Sequence, residues 1–370
     1  MTACITGVAM TGFGNLAPRT TLDLQAEAAT AALADAGIER AEVDGLLLGY
    51  STASPHLMPA TRFAEHFGLT PTYAHGVQAG GATGLAMVAL ARHLLAAGAA
   101  RHVLVVAGEN RRSGHAPGDA ARTLAEVGEH DHEVTQGGSV PAYYGLVASR
   151  YLHAHGLRQD DLAELAVLMR RHACMTPGAQ FQKPITVKDV MASRPISLPL
   201  KLLDCCPVSD GAAAVVVSAD AGGIAITGTA QAHTHQHLTQ APTDVALGAR
   251  QSSAAAMAQA GVVPTDIDRL AIYDSFTVTL AMFLEACGFC APGQAPADTR
   301  VGRFDHDGPL PLNTHGGLLS YGHSGVAGGM AHIVEITRRL RADATRRRGF
   351  IHADGGVFSA NVSMVLEARP

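Results

Sequence analysis

The stretch Ile5-Thr6-Gly7-Val8-Ala9 lies near the start of the chain, and a similar phrase, Ile224-Ala225-Ile226-Thr227-Gly228-Thr229-Ala230, recurs more than halfway along its 370 residues. Each phrase combines a β-branched run, typical of a strand, with a glycine. Each is followed by an alanine-rich helical stretch, a glycine, an acidic turn and a second apolar run, which ends at Leu48 in the first case and at Ile272 in the second. Two matching units of this length predict an internal duplication.

The repeat divides the chain into two predicted α/β halves, residues 1–220 and 222–370, which join at Asp220-Ala221-Gly222-Gly223. In both halves short apolar runs alternate with Ala-rich helices, the pattern of βαβ units around a buried, mostly parallel sheet. An excursion at about 115–203 belongs to the first half, and its last part, 175–203, lacks clear periodicity. Irregular stretches in a compact enzyme often cover a site, so we expect this excursion to lie over one.

Hydrophobic periodicity and cap residues predict eight strands and seven helices. The strands are at 4–8, 45–48, 102–107, 213–218, 224–227, 270–272, 348–351 and 362–366. The helices are at 21–36, 82–97, 141–155, 160–171, 251–260, 276–287 and 328–340. This order of elements is typical of a large α/β enzyme.

Composition excludes several classes of protein. Apolar residues make up 47% of the chain and are distributed throughout it, which excludes an intrinsically disordered chain. A formal net charge of -5 gives no electrostatic basis for binding nucleic acid. No apolar run approaches the roughly 20 residues that cross a bilayer, and the first ten residues lack the charged start of a signal peptide. We therefore expect a cytoplasmic protein that binds neither nucleic acid nor membrane.

Metal and redox sites have only weak candidates in this sequence. The pair Cys287-x-x-Cys290 lacks the second pair that a zinc ribbon needs and the context of a thioredoxin-like redox site. His233, His235 and His237 alternate and could share one face of a strand, but no further ligand accompanies them. The six cysteines do not form a disulfide framework in a chain of this size. We expect that the chain holds no metal and no cofactor of its own.

Four glycine-rich or polar turns carry the strongest chemical signals. Each lies where a strand is predicted to become a loop or a helix, which is where ligands bind in open α/β sheets because freed N–H groups point into one crevice. Glycine also lets the backbone approach a reacting oxygen closely, so that pairs of N–H groups can stabilise negative charge. The turns are at 77–84, at 273–277, at 313–317 together with 321–325, and at 352–356.

In these turns the chain resembles the thiolase superfamily, specifically its sterol-carrier-protein branch and the degenerate thiolase-like steroid side-chain aldolases. The resemblance covers nearly the whole chain. It implies a duplicated five-layer αβαβα thiolase fold, a homodimer, and an acyl-CoA substrate in which coenzyme A is part of the thioester. The segments that carry it are Gly80-Gly81-Ala82-Thr83-Gly84, Leu203-Asp204-Cys205-Cys206-Pro207-Val208-Ser209-Asp210-Gly211-Ala212-Ala213-Ala214, Tyr273-Asp274-Ser275-Phe276-Thr277, Asn313-Thr314-His315-Gly316-Gly317 with Gly322-His323-Ser324-Gly325, and Gly355-Gly356.

The chain departs from the family pattern at its catalytic positions. Where thiolases carry a nucleophilic Cys at the start of a helix, this chain has Gly81, which has no side chain to acylate. His352 aligns with a second family Cys that acts as acid and base, and Tyr273 replaces the Asn or His that opens another family motif. The His of the family's Gly-His-Pro motif is retained as His323, although Ser324 replaces the Pro. The resemblance therefore implies a thiolase-like site that cannot form an acyl-enzyme at Gly81.

A retro-aldol cleavage needs no acyl-enzyme, because only an enolate must be stabilised. Tyr273 and Tyr321 match by motif the two tyrosines of the steroid aldolases, which implies that one takes the β-hydroxyl proton and the other assists it. An ordinary tyrosine has a pKa near 10 and is a poor base, so we expect His323 or His352 to lower that pKa or to share the proton. The expected reaction is cleavage of a β-hydroxyacyl-CoA, with a steroid or bile-acid side chain as the candidate acyl group, to a ketone or aldehyde and a shorter acyl-CoA.

The enolate oxygen is expected to receive hydrogen bonds from His323 and from the backbone at Gly81, Gly355 and Gly356. The resemblance also implies a small OB-fold partner that bears a zinc ribbon. Two alternatives stay open: a non-catalytic thiolase-like subunit that binds acyl-CoA, and a thiolase or condensing enzyme whose nucleophile lies elsewhere. For Tyr273, the alternative to a catalytic role is a core aromatic with a satisfied hydroxyl.

Overall fold

The computed structural model describes residues 2–116, 118, 123, 125–219 and 222–369. Half of the predicted junction, Asp220-Ala221, and part of the predicted excursion lie outside these residues. Within the described ranges, no helix is long and apolar enough to cross a bilayer.

The described residues form eleven strands and ten α-helices, with one π-helix at Gly317–Tyr321. The strands are β1 (Ala3–Met10), β2 (Gly45–Gly49), β3 (Tyr73–Val77), β4 (His102–Asn110), β5 (Pro195–Ser197), β6 (Leu200–Lys201), β7 (Asp210–Ala219), β8 (Ile224–His233), β9 (Arg269–Ile272), β10 (Arg348–Gly355) and β11 (Ala360–Ala368). The helices are α1 (Thr21–Ala36), α2 (Pro59–Phe67), α3 (Thr83–Ala96), α4 (Val140–His155), α5 (Gln159–Cys174), α6 (Val187–Ala192), α7 (Leu247–Ala260), α8 (Thr277–Ala286), α9 (Ala295–Arg300) and α10 (Val326–Ala342).

Nine strands form one mixed sheet in the order β3-β2-β4-β7-β1-β8-β11-β10-β9. The pairs β2–β3, β2–β4 and β9–β10 are parallel, whereas β4–β7, β1–β7, β1–β8, β8–β11 and β10–β11 are antiparallel. The prediction of a mostly parallel sheet is therefore wrong. Alternating strands and helices account for the parallel pairs, but β10 and β11 follow each other directly, and a chain that returns without a crossover helix must run antiparallel.

The strand order of the first half returns in the second. The series β1, β7, β4, β2 corresponds to β8, β11, β10, β9, with the same parallel and antiparallel pairings in the same places. The two series meet edge to edge where Cys4 pairs with Ala225 and Ile5 with Ile224. This repetition agrees with the repeated phrases in the sequence, while the exact boundary between the halves stays a prediction.

Helices cover both faces of the first half of the sheet. On one face, α1 and α2 pack through Leu24 and Phe63 onto an apolar cluster that includes Leu46. On the opposite face, α3 and α10 contact each other and strands of both halves. Their contact is close, because a β-carbon at Gly84 would lie 3.1 Å from Met330. The two helices therefore form a central layer, and both carry site segments at their N-terminal ends.

The end of the excursion, residues 175–203, is more ordered than its sequence predicts. It contains α6 and the small pair β5–β6. The helix α6 is only six residues long and begins with a capping box, in which Thr186 and Asp189 exchange hydrogen bonds with each other's backbone N–H groups. Elements this short show no hydrophobic periodicity, so the pattern of apolar residues could not predict them.

Candidate active site

A tyrosine and a histidine from two of the predicted motifs meet in the site. The Tyr273 hydroxyl oxygen lies 3.0 Å from His323 Nε2, and the two rings are edge to face with centroids 6.2 Å apart. Tyr273 follows β9 directly, and His323 follows the π-helix. A phenol and an imidazole at this distance can exchange a proton.

Two buried polar side chains hold this pair in place. Asn313 donates a hydrogen bond to the Ile272 carbonyl and accepts one from the Ile272 N–H, both at 2.8 Å, at the end of β9. The Asp274 carboxylate accepts hydrogen bonds from two N–H groups of the π-helix at 2.8 and 3.2 Å. Because this π-helix leads to His323, Asp274 links the two residues of the pair. Sequence reasoning assigned Asn313 no such role, whereas an orienting role for Asp274 agrees with its motif.

The Tyr273 hydroxyl occupies the space where a side chain at Gly81 would stand. A β-carbon at Gly81 would lie 2.0 Å from the Tyr273 hydroxyl oxygen and 2.5 Å from the carbonyl oxygen of Asp354. Both distances are far below van der Waals contact, so any larger residue at position 81 would have to displace the tyrosine or the backbone.

The glycine turns around residues 80 and 355 contact each other through their backbones. A β-carbon at Gly80 would lie 2.8 Å from the Gly355 Cα, and one at Gly355 would lie 2.1 Å from the Ala79 carbonyl oxygen. Gly80 and Gly356 have φ values of +56° and +74°, in the region that favours glycine. The structure therefore brings the turn at Gly80-Gly81 against the turn at Gly355-Gly356, and their role in binding the enolate oxygen stays a prediction.

A cavity of about 770 Å³ opens beside these turns, a volume in the range of small-molecule sites. Its lining includes Tyr50, Gln78, Gly80, Arg111, Gly355 and Gly356, and the predicted excursion contributes Thr123, Glu126 and Val127. A separate apolar groove of about 470 Å³ lies on α4 and includes none of the predicted site residues.

Tyr321 is bound to a different part of the fold. Its hydroxyl donates a hydrogen bond to the Thr11 carbonyl at 3.0 Å, just beyond β1. Its ring packs edge to face on Phe13, with centroids 5.1 Å apart, and against His315. Burial raises the pKa of Tyr321 to about 12. The structure gives the Tyr321 hydroxyl a structural partner and does not hydrogen-bond it to Tyr273, so its catalytic role stays a prediction.

His352 contributes only its backbone to the neighbourhood of Tyr273. The His352 carbonyl accepts a hydrogen bond from the Tyr273 N–H at 3.0 Å. The side chain instead lies 2.9 Å from the Ser363 hydroxyl through Nδ1 and packs on Phe283 of α8, with ring centroids 4.7 Å apart. The prediction that the His352 imidazole shares a proton with a site tyrosine is therefore wrong, because side chains alternate along a strand and this one faces α8.

Burial keeps the tyrosine–histidine pair neutral. Loss of hydration raises the pKa of Tyr273 well above its ordinary value, and it lowers the pKa of His323 to about 3. The expectation that a neighbouring histidine lowers the pKa of the tyrosine is not met, because desolvation outweighs the effect of the neighbour. At neutral pH the pair therefore consists of a phenol and an uncharged imidazole.

The thiol of Cys206 interacts electrostatically with Tyr273. It is half-buried, and its proximity adds to the raised pKa of Tyr273. Burial raises the pKa of the Cys206 thiol itself to about 12. A thiol with such a pKa carries almost no thiolate at neutral pH and is a weak nucleophile.

The structure does not support the two metal sites considered from the sequence, the Cys287/Cys290 pair and the alternating histidines at 233–237. Within the described residues, no group of three or more His, Cys, Asp or Glu side chains is arranged to hold an ion. Cys287 and Cys290 are both buried free thiols. His235 contacts the Val357 carbonyl at 3.0 Å. That the chain holds no metal stays a prediction.

Known protein families match nearly the whole chain in two parts. Residues 3–196 match the thiolase N-terminal domain, and residues 230–368 match the thiolase C-terminal domain-like family. Together these ranges contain the glycine turns, Tyr273 and His323.

Individual relatives span both acyl transfer and carbon–carbon cleavage. An acetyl-CoA acetyltransferase of Methanothermobacter thermautotrophicus is 30% identical over 374 residues, covering 95% of this chain and 96% of that protein. A steroid side-chain-cleaving aldolase of Thermomonospora curvata is 34% identical over 369 residues, covering 94% of this chain and 92% of that protein. The solved structure of an Ltp2-ChsH2(DUF35) aldolase superposes with a TM-score of 0.85 at 31% identity and covers 99% of this chain and 98% of that chain.

Proposed function

Because the chain belongs to the thiolase family and has the α/β thiolase fold that its motifs predicted, we propose that it works as a carbon–carbon lyase and not as an acyltransferase. The proposed reaction is the retro-aldol cleavage of a β-hydroxyacyl-CoA to a ketone or aldehyde and a shorter acyl-CoA. The observation that carries this proposal is the Tyr273 hydroxyl, which lies 2.0 Å from the β-carbon position of Gly81. This position holds the family nucleophile, and here the tyrosine fills its space.

The Tyr273–His323 pair can remove the proton of the β-hydroxyl without a charged base. In the tautomer that leaves Nε2 unprotonated, His323 accepts the Tyr273 proton while Tyr273 takes the proton of the substrate. The Cα–Cβ bond then breaks, its electron pair forms the thioester enolate, and the β-carbon leaves as a carbonyl. Backbone N–H groups at Gly81, Gly355 and Gly356 stabilise the enolate oxygen until Cα takes a proton back from Tyr273, which recovers its own from His323.

The aldolase relatives support a steroid or bile-acid side-chain thioester as the substrate. The Thermomonospora curvata protein is named for cleaving a steroid side chain, and it aligns over almost all of both chains. The cavity of about 770 Å³ beside the glycine turns offers space for part of such a ligand.

We further propose that the chain binds a DUF35 partner, forms a homodimer and is cytoplasmic. The related aldolase structure contains a DUF35 protein, which supports a small OB-fold partner with a zinc ribbon for this chain. A homodimer is supported by β3, which pairs with β2 and with no other described strand. The free edge of such a strand is a surface that a second copy can cover.

Product analysis tests the reaction. The chain is incubated with a β-hydroxyacyl-CoA, with and without free CoA and with and without a DUF35 partner. We expect a free carbonyl compound and a shorter acyl-CoA in the absence of added CoA. A requirement for free CoA would indicate thiolysis instead. A complete lack of turnover, with the partner present, would favour a non-catalytic acyl-CoA-binding subunit.

Intact-protein mass spectrometry tests for a displaced nucleophile. Cys206 is the cysteine to examine, because it lies close enough to Tyr273 to affect its pKa. We expect no acyl adduct after incubation with acyl-CoA, and we expect Cys206→Ser to retain cleavage activity. An adduct that disappears in Cys206→Ser would overturn the proposed function in favour of a thiolase.

A further inference from the structure

A buried arginine with an unused hydrogen-bond donor borders the cavity. Arg111 follows β4, is 8% exposed, and lines the same cavity as Gly80, Gly355 and Gly356. Its Nε atom is buried, and no described residue accepts a hydrogen bond from it. A guanidinium has five N–H donors and does not lose its proton, so the side of Arg111 that borders the cavity can donate hydrogen bonds to a ligand there.

Glu109 balances the charge of Arg111 without binding this donor. Arg111 Nε lies 4.0 Å from Glu109 Oε1, which is beyond hydrogen-bond distance. The other carboxylate oxygen of Glu109 accepts hydrogen bonds from the N–H groups of Thr52 and Ala53, at 2.6 and 2.9 Å, and from the Ser51 hydroxyl, at 3.0 Å. Glu109 is thus held by other partners, and the guanidinium keeps donor capacity for a ligand.

The same guanidinium acts electrostatically on the reacting pair. Its positive charge lowers the pKa of His323 and partly offsets the raised pKa of Tyr273. The charge of Arg111 also partly offsets the raised pKa of Tyr50, in the cavity wall, and that of Cys206. A fixed cation in the cavity wall favours negative charge that develops on a ligand bound beside it.

Resting on the proposed lyase function, we propose that Arg111 is a catalytic residue that donates hydrogen bonds to the thioester oxygen as this oxygen becomes an enolate. The Tyr273–His323 pair takes the β-hydroxyl proton, and the β-oxygen becomes a carbonyl as the electron pair of the Cα–Cβ bond forms the enolate. Cα then takes a proton back from this pair. Arg111 neither gains nor loses a proton in this sequence.

The balanced ion pair favours an oxygen whose charge appears only during the reaction. Because Glu109 already compensates Arg111, a permanently charged carboxylate on the substrate would add uncompensated negative charge beside Glu109. A thioester oxygen is neutral in the bound substrate and gains charge only as the bond breaks. A donor whose hydrogen bond strengthens only in the transition state raises kcat without tightening the binding of the substrate.

Three variants of Arg111 and one matched control test this role. For Arg111→Gln we expect kcat to fall roughly 10²- to 10³-fold, as for loss of one oxyanion donor, with the affinity for a saturated acyl-CoA within about threefold of wild type. Arg111→Lys should recover part of the activity, and added guanidine should partly rescue Arg111→Ala. Arg269→Gln removes another buried arginine, one paired with Asp343 at the start of β9, and should keep kcat within about threefold.

Exchange of α-protons separates this proposal from the proposed function. In D₂O, an enolate-stabilising site exchanges the α-protons of the shorter acyl-CoA even where no aldol bond is cleaved. If wild type cleaves substrate and Arg111→Gln has the same kcat, the role of Arg111 is wrong and the lyase function stands. If wild type shows exchange that depends on Arg111 but no cleavage, the role of Arg111 stands and the lyase function is wrong. If wild type shows neither, both are wrong.

Discussion

The hydroxyl oxygen of Tyr273 lies 2.0 Å from the position that a β-carbon of residue 81 would take, so Tyr273 and Gly81 are complementary in shape. The two residues are far apart in sequence and belong to different motifs. By motif, Gly81 aligns with the nucleophilic cysteine of thiolases. Under the proposed function, the space beside Gly81 serves the Tyr273–His323 pair.

Gly81→Cys should not restore a thiolase. We expect the new side chain to collide with Tyr273 and with the Asp354 carbonyl, lowering the free energy of unfolding by roughly 1–3 kcal/mol, as overpacking of a core does. Lyase activity should fall, because the tyrosine must move. Adding Tyr273→Asn should recover part of the stability. Thermal and urea unfolding measure this effect, and a Gly81→Cys protein as stable as wild type would contradict the described contact.

Tyr273→Phe should remove the proton path while keeping the ring. We expect kcat to fall roughly 10²- to 10⁴-fold, the usual contribution of a positioned acid or base. The matched control is Tyr151→Phe, which removes a buried hydroxyl that donates to Glu285 at 2.6 Å, away from the site. Steady-state kinetics should show little change in kcat for this control. Equal losses in the two variants would mean that Tyr273 acts only through stability.

Tyr321→Phe distinguishes the motif-based role of Tyr321 from its structural contact. The variant leaves the Thr11 carbonyl without its donor, which should cost about 1–3 kcal/mol of unfolding free energy. We expect kcat at a temperature well below unfolding to stay within about tenfold of wild type. A loss of kcat as large as in Tyr273→Phe, with unchanged stability, would establish Tyr321 as the second catalytic tyrosine that the motif predicted.

His352 should make the fold sensitive to acid. Burial lowers its pKa to about 3, so between about pH 6.5 and 3 the unfolded chain binds a proton that the folded chain does not. The stability associated with this histidine is therefore complete above about pH 6.5 and is lost as the pH falls toward 3. We expect the difference in unfolding free energy between wild type and His352→Leu to change by about 1.4 kcal/mol per pH unit in this range, in favour of the variant at low pH.

Urea unfolding at several pH values between 5 and 7.5 measures this difference. Asp354, whose pKa burial raises to about 8, titrates in the opposite sense, and the comparison of wild type with a single variant cancels its contribution. A difference that is constant over this pH range would show that the His352 imidazole is solvated.

Local signals in the sequence predicted many elements closely. The helix expected at 21–36 is α1, because Thr20 and Asp23 form its capping box and Gly37 ends it with a φ of +64°. The strand β3 escaped prediction, because it lies at the edge of the sheet and its side chains are largely half-buried or exposed. Edge strands of this kind lack the apolar run that marks a buried strand.

The sequence by itself determined the thiolase motifs, the absence of a side chain at Gly81 and the glycine turns, because each depends on the identity of residues at short spacing. Only the tertiary structure decided that the Tyr273 hydroxyl fills the space at Gly81 and contacts His323, that Tyr321 and His352 make their polar contacts elsewhere, and that Arg111 borders the same cavity. The physical reason is that side-chain direction depends on strand alternation and on packing between distant segments, and that burial then sets which of these groups are charged.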